Sequence, residues 1–249
     1  MNSRLKIAPL LLLALLPGEA LCQIAVGIQF PHSDYIRFEP VKATVRIQND
    51  TDTLLIIGGI GEGATLDFDV RTKDQFRLKR KTSCLTATNV IVLPGKIKEI
   101  SVDVAAHYDL QPHGQYCIKA EISTSANRYL STPQVIDIVP GIELQTVERA
   151  VPSQPTVMRT YKLLYWTRND VEHLFLTVTD KEQRTVYGIF DLGSVMRFVP
   201  PSITVDVSGN VTVRHQPDHD VTILTFLQSL PQGVSFLRQE SKVGVAPAQ

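Results

Sequence analysis

The chain has 249 residues, with 25 basic and 25 acidic side chains and a formal net charge of zero. That balance gives no global electrostatic pull toward nucleic acid or an anionic membrane, so neither class of partner is expected. The length supplies one large or two ordinary domains, with a core that needs no disulfide or metal staple.

Residues 1–22 read as an export signal. Arg4 and Lys6 form a positive head, Leu10 to Leu16 give an apolar run too short to span a bilayer, and Ala20 and Cys22 offer small residues at a cleavage point. The expected location is secreted or periplasmic. Cys22 also invites a lipoprotein reading, but that pattern wants an aliphatic residue three positions before the cysteine, where Glu19 stands. Ordinary cleavage is therefore expected. Pro17, Gly18 and Glu19 end the apolar run, and no later stretch reaches the roughly eighteen apolar residues of a span, so no transmembrane segment is expected after cleavage. The mature chain keeps 23 basic and 24 acidic residues. It also keeps Cys84 and Cys117, which an oxidising compartment would allow to pair.

The first half alternates with period two wherever it is not a turn. Val41, Ala43, Val45 and Ile47 share one strand face, as do Leu66, Phe68 and Val70, then Ile100, Val102 and Val104, then Tyr116, Ile118, Ala120 and Ile122. Asn49 to Asp52, the glycine-rich stretch Gly58 to Gly63, and Pro94-Gly95 supply turns between them. The pattern predicts one antiparallel β-sandwich over residues 24–140.

The stretch Tyr108-Asp109-Leu110-Gln111-Pro112-His113-Gly114-Gln115-Tyr116 resembles the tyrosine corner of immunoglobulin-like sandwiches, in which a tyrosine hydroxyl ties a corner to nearby backbone. With Glu39-Pro40-Val41 opening a strand and Leu93-Pro94-Gly95 preceding another, this half is similar to bacterial extracytoplasmic immunoglobulin-like modules, including the BsuPI-like proteinase-inhibitor type. The resemblance implies an immunoglobulin-like fold and a binding role, with proteinase inhibition as one form of it. Antibody domains carry their cysteine two residues after the tyrosine, whereas Cys117 follows Tyr116 directly and points to the other face. Any Cys84–Cys117 bond is thus expected on the outer face or at an edge.

Residues 141–156 are rich in breakers and read as a linker holding one possible strand, Ile142 to Val147. Beyond it, residues 157–238 read as a second small antiparallel β domain. Its strands are expected at Arg159–Trp166, His173–Thr179, Thr185–Leu192, Ile203–Val207, Val211–His215, Val221–Leu227 and Val234–Leu237. Ser208-Gly209-Asn210 is a hairpin signal, because glycine and asparagine tolerate positive φ. Two units of about forty residues, around Leu174–Gly193 and Ile203–Gly233, are similar in length and style to propeller blades. Residues 239–249 are expected to be a disordered tail.

Candidate chemistry is sparse. His215, Asp218 and His219 combine the ligand types of a zinc site, although Pro217 forbids the helix that would align them, and a polar hairpin loop explains the same residues. Asp67 and Asp69 share a strand face and could pair as carboxylates, against the plainer reading of a solvated outer face. No phosphate-binding loop, dinucleotide fingerprint or nucleophile elbow occurs, so no catalytic residue and no cofactor is assigned. Arg71, Lys73, Arg77, Lys79, Arg80 and Lys81 form a basic cluster that could attract anionic glycans or headgroups, or could simply guard an edge against aggregation. Tyr165 and Trp166 project to opposite faces of one strand. One ring could remain open for recognition, or a second domain could bury both. The expectation is an exported, non-catalytic binding or scaffolding protein acting on extracytoplasmic protein or glycan, with a metal-dependent hydrolase or a proteinase inhibitor as alternatives.

Overall fold

The computed structural model describes residues 23–58, 63–82, 85, 89–152, 154–196 and 198–243. In the first half the elements are β1 (Ile24–Gln29), β2 (Asp34–Ile36), β3 (Lys42–Asn49), β4 (Leu55–Ile57), β5 (Thr65–Thr72), β6 (Val90–Val92), β7 (Lys96–Asp103), α1 (Val104–His107), β8 (Gly114–Ser123), β9 (Arg128–Leu130) and β10 (Gln134–Val139). Strands β1, β3 and β7 form one antiparallel sheet; a second has the order β2-β10-β8-β5, with β9 also on β8, and β4 and β6 make a separate ribbon. The pairing is antiparallel except for β2 against β10. The period-two residues do what alternation demands: Ala43, Val45, Ile47, Val70, Ile118, Ala120 and Ile122 are sealed in one shared core. Val104, expected to continue a strand, instead opens the four-residue α1, because Asp103 caps the Ala105 amide at 3.1 Å and also accepts the Val41 amide at 2.9 Å.

The second half contributes β11 (Ile142–Val151), β12 (Gln154–Arg168), β13 (Val171–Asp180), β14 (Val186–Ser194), β15 (Ser202–Val205), β16 (Asn210–Asp218), β17 (Val221–Leu230) and β18 (Gly233–Val243). These form two four-stranded antiparallel meanders, β11 to β14 and β15 to β18, each in chain order. Tyr161, Leu163, Tyr165, Leu174, Leu176 and Val178 of the first face Ile203, Val211, Val213 and Leu227 of the second across one core. The blade-like units are therefore two halves of a sandwich. Gln239 Nε2 donates to the Leu192 carbonyl at 3.1 Å on one side, and the Ile203 amide donates to Gln145 Oε1 at 3.1 Å on the other.

Two boundaries differ from the sequence reading. The expected linker over 141–156 is occupied by β11 and the start of β12, which pair from Ile142↔Tyr165 to Ala150↔Met158. The breakers there act as bulges and a turn between strands, not as a spacer. The expected tail begins too early, since β18 continues to Val243 through its pairing with Val221. Residues 244–249 and the expected export segment 1–22 lie outside the described residues. Among the described residues no helix is long and apolar enough to cross a membrane.

Candidate functional site at the domain junction

From Arg159 onward, strand β12 is buried on both faces. Its odd residues Tyr161, Leu163 and Tyr165 enter the second core, so the alternate residues Leu164, Trp166 and Arg168 turn toward the first domain. There Ile36, Leu164 and Phe175 form a small sealed core, rimmed by Val139, Trp166 and Ile189. Arg168, 3 % exposed, ends this face with a two-pronged contact to Glu39, Nη1 to Oε1 at 3.0 Å and Nη2 to Oε2 at 2.7 Å. Glu39 Oε2 also accepts the Ile36 amide at 2.9 Å. Asp34 accepts the Trp166 indole N–H and lies 3.8 Å from Arg168 Nε. Burial disfavours the Arg168 charge, but the hydrogen bonds and charge of Glu39 outweigh it, and the guanidinium is held above its ordinary range.

Around this pair, burial pushes the Tyr35 hydroxyl up to about 12. Burial first, and then the Arg168 charge, hold the His32 imidazole below its usual value. His173 Nδ1 lies 3.1 Å from both Asp191 oxygens. The acceptors of the cluster are consumed in holding the domains together, and its chemistry is that of a clasp.

Two hollows flank Phe38, a non-glycine residue in the left-handed region at φ 75. One, of about 290 Å³, is lined by Glu39, Lys81, Asp103, Tyr108, Ile138 and Val186 among others. Its charged groups are already engaged: Glu39 with Arg168, Asp103 with two amides, and Lys81 Nζ with the Ala105 carbonyl at 3.3 Å. The other, of about 160 Å³, lies between Arg37, Phe38 and His113 of the first domain and Lys162, Thr177 and Thr179 on the outer face of the second.

The residues singled out from sequence are scattered. His215 is 1 % exposed and faces the second core, whereas Asp218 and His219 are exposed at the β16–β17 turn. Among the described residues no group of three or more His, Cys, Asp or Glu is placed to hold a metal. Half of the basic cluster is ion-paired: Arg71 and Arg77 bind Asp69 at 3.0 and 3.1 Å and Arg80 binds Asp67 at 3.2 Å, while Lys81 donates to the Ala105 carbonyl. Lys73 and Lys79 are exposed. Asp67 and Asp69 do not form a solvated face, because residues 77–80 lie over them, with the Leu78 amide donating to the Val70 carbonyl at 2.8 Å, and Tyr108 donates to Asp67. Tyr165 is buried in the second core and Trp166 is taken up by the junction, so neither ring is a free platform. Cys117 is half-buried on the face opposite the buried Tyr116; Cys84 lies outside the described residues. The Tyr116 hydroxyl donates to the Pro112 carbonyl, four residues upstream, at 2.8 Å.

The clasp escaped sequence reading because Arg168 and Glu39 are 129 residues apart and no local pattern links them. An exposed apolar ribbon was missed as well: Leu54, Ile56, Ile91 and Leu93 are 38 to 54 % exposed, with Ile56 paired to Ile91. Its signal was available in the unbroken apolar runs Leu54–Ile57 and Val90–Leu93, where a half-buried strand would alternate. No family model and no curated protein matches the chain.

Proposed function

We propose that this chain is an exported, non-catalytic binding protein of the cell envelope or extracellular space that engages protein or polysaccharide. The carrying observation is the junction. Arg168 with Glu39, and Ile36 against Leu164 and Phe175, hold two sandwiches in one orientation, so the crevice between them has permanent walls. Concave sites at domain interfaces are common ligand seats, and fixed walls lower the ordering cost of binding. The immunoglobulin-like resemblance of the first half and the export-type pattern of residues 1–22 support the same reading.

Affinity capture with the mature protein from its own envelope fraction tests it. The expected result is a retained protein or glycan that is lost when Arg168→Ala loosens the junction. Stoichiometric zinc in the purified protein, lost on His219→Ala, would overturn it in favour of a metal-dependent hydrolase. A stable complex with a protease would narrow it to proteinase inhibition.

A further inference from the structure

Among the described arginines that are not exposed, Arg71, Arg80, Arg159 and Arg168 each have oxygen partners. These are Asp69, Asp67, the Ser229 hydroxyl with the Pro231 and Gly233 carbonyls, and Glu39, respectively. Arg37 differs. Its Nε is sealed from solvent without a partner, as are those of Arg159 and Arg168, but among the described residues no oxygen accepts from any nitrogen of this half-buried side chain, and the Phe38 ring lies 4.6 Å from its guanidinium carbon. Its guanidinium donors are thus left available to an anion that enters the hollow.

The surroundings point the same way. Thr177 and Thr179, 5 and 3 % exposed, line the same hollow, and among the described residues no hydrogen-bond partner meets their hydroxyls. Both lie on the outer face of β13, beyond Phe175, where the sheet leaves the apolar junction core. Burial and the charge of Arg37 hold the His113 imidazole below its ordinary value, so at neutral pH it is an uncharged hydrogen-bonding group at the rim. The one lining carboxylate, Glu143, is occupied by Lys162 at 2.8 Å and Thr146 at 2.7 Å. At about 160 Å³ the hollow is smaller than the roughly 300 Å³ that encloses a drug-sized ligand, so it takes one residue of a larger molecule.

We propose that this hollow is a subsite for a carboxylate-bearing sugar, a uronic acid unit of an acidic polysaccharide, with Arg37 forked onto the carboxylate and Thr177 and Thr179 meeting the sugar hydroxyls. Arginine suits a planar carboxylate because its donors match both oxygens. The assignment rests on the binding-protein reading and names its ligand.

NMR titration of the mature protein with glucuronate and galacturonate, against glucose, galactose and inorganic phosphate, tests it. The uronates are expected to bind at least tenfold more tightly than the neutral sugars, with shifts around Thr177 and Thr179. Arg37→Gln should remove that preference, and Thr177→Val should weaken uronate binding without disturbing the fold. In the absence of ligand, Arg37→Gln should leave the melting temperature unchanged or raised, since it removes an unpaired charge. A lowered melting temperature would make Arg37 a structural clip and overturn the assignment. So would equal affinity for uronates and neutral sugars, tighter binding of phosphate, or no uronate binding at all. Each of these leaves partner capture by the same protein free to succeed, so the broader reading fails separately.

Discussion

Arg168 and His215 show how differently one buried basic residue and another shape stability. Arg168 is matched by Glu39, and removing one partner of a sealed ion pair strands the other charge. Arg168→Ala should therefore cost about 3 to 5 kcal/mol in chemical denaturation, and adding Glu39→Gln should return a large part of it. His215 has no such match. Neither ring nitrogen makes a well-formed hydrogen bond, and burial lowers its pKa to about 4, offset only a little by the Leu192 carbonyl. The unfolded chain, with an ordinary value near 6.5, binds more protons than the folded one between those limits. Stability from this group is thus full above about pH 6.5 and declines as pH falls toward 4, by up to about 3 kcal/mol. Unfolding free energies measured from pH 7 to 4 should show that slope, and His215→Leu should reduce it, leaving the smaller share of His32, His107 and His113, which are also held below their ordinary values.

At the scale of elements, the turn at Ser208-Gly209-Asn210 does more than reverse the chain. Gly209 sits at φ 80, and a Cβ there would lie 2.5 Å from the Ser229 carbonyl oxygen and 2.6 Å from Pro152 Cγ. The β15–β16 hairpin is thereby pressed against β17 and the β11–β12 turn, which ties the two meanders at one end. Gly209→Ala combines left-handed strain with a backbone clash and should cost about 2 to 4 kcal/mol by thermal or urea unfolding. The strap over β5 is a second such device. Leu78 extends the sheet edge by one hydrogen bond, and Arg77 and Arg80 cover Asp69 and Asp67, so a run of charge blunts an edge strand by pairing locally.

For the whole molecule, the decisive feature is the coupling of two cores through a third, smaller one. Ile36, Leu164 and Phe175 are sealed between the sandwiches, and the Trp166 and Arg168 side chains bridge to Asp34 and Glu39. Calorimetry of the native chain should give a single unfolding transition. The double variant Trp166→Ala/Arg168→Ala should give two, one for each sandwich, because each keeps its own core. One transition in both proteins would show that coupling runs through other contacts.

Residue order alone settled the class and the spacing of the strands. Alternation at Ala43-Val45-Ile47 and at Ile118-Ala120-Ile122 has one solution, a half-buried pleated strand, and Gly209 with Asn210 has one easy conformation, a tight reversal. Those are properties of neighbours in sequence. The clasp, the strap over Asp67 and Asp69, and the hollow around Arg37 join residues far apart along the chain, and the same charged side chain reads alike whether it is solvated, paired or left waiting. Only the tertiary packing decides among these, because charge acquires its meaning from which oxygen, ring or solvent surrounds it once the chain has closed.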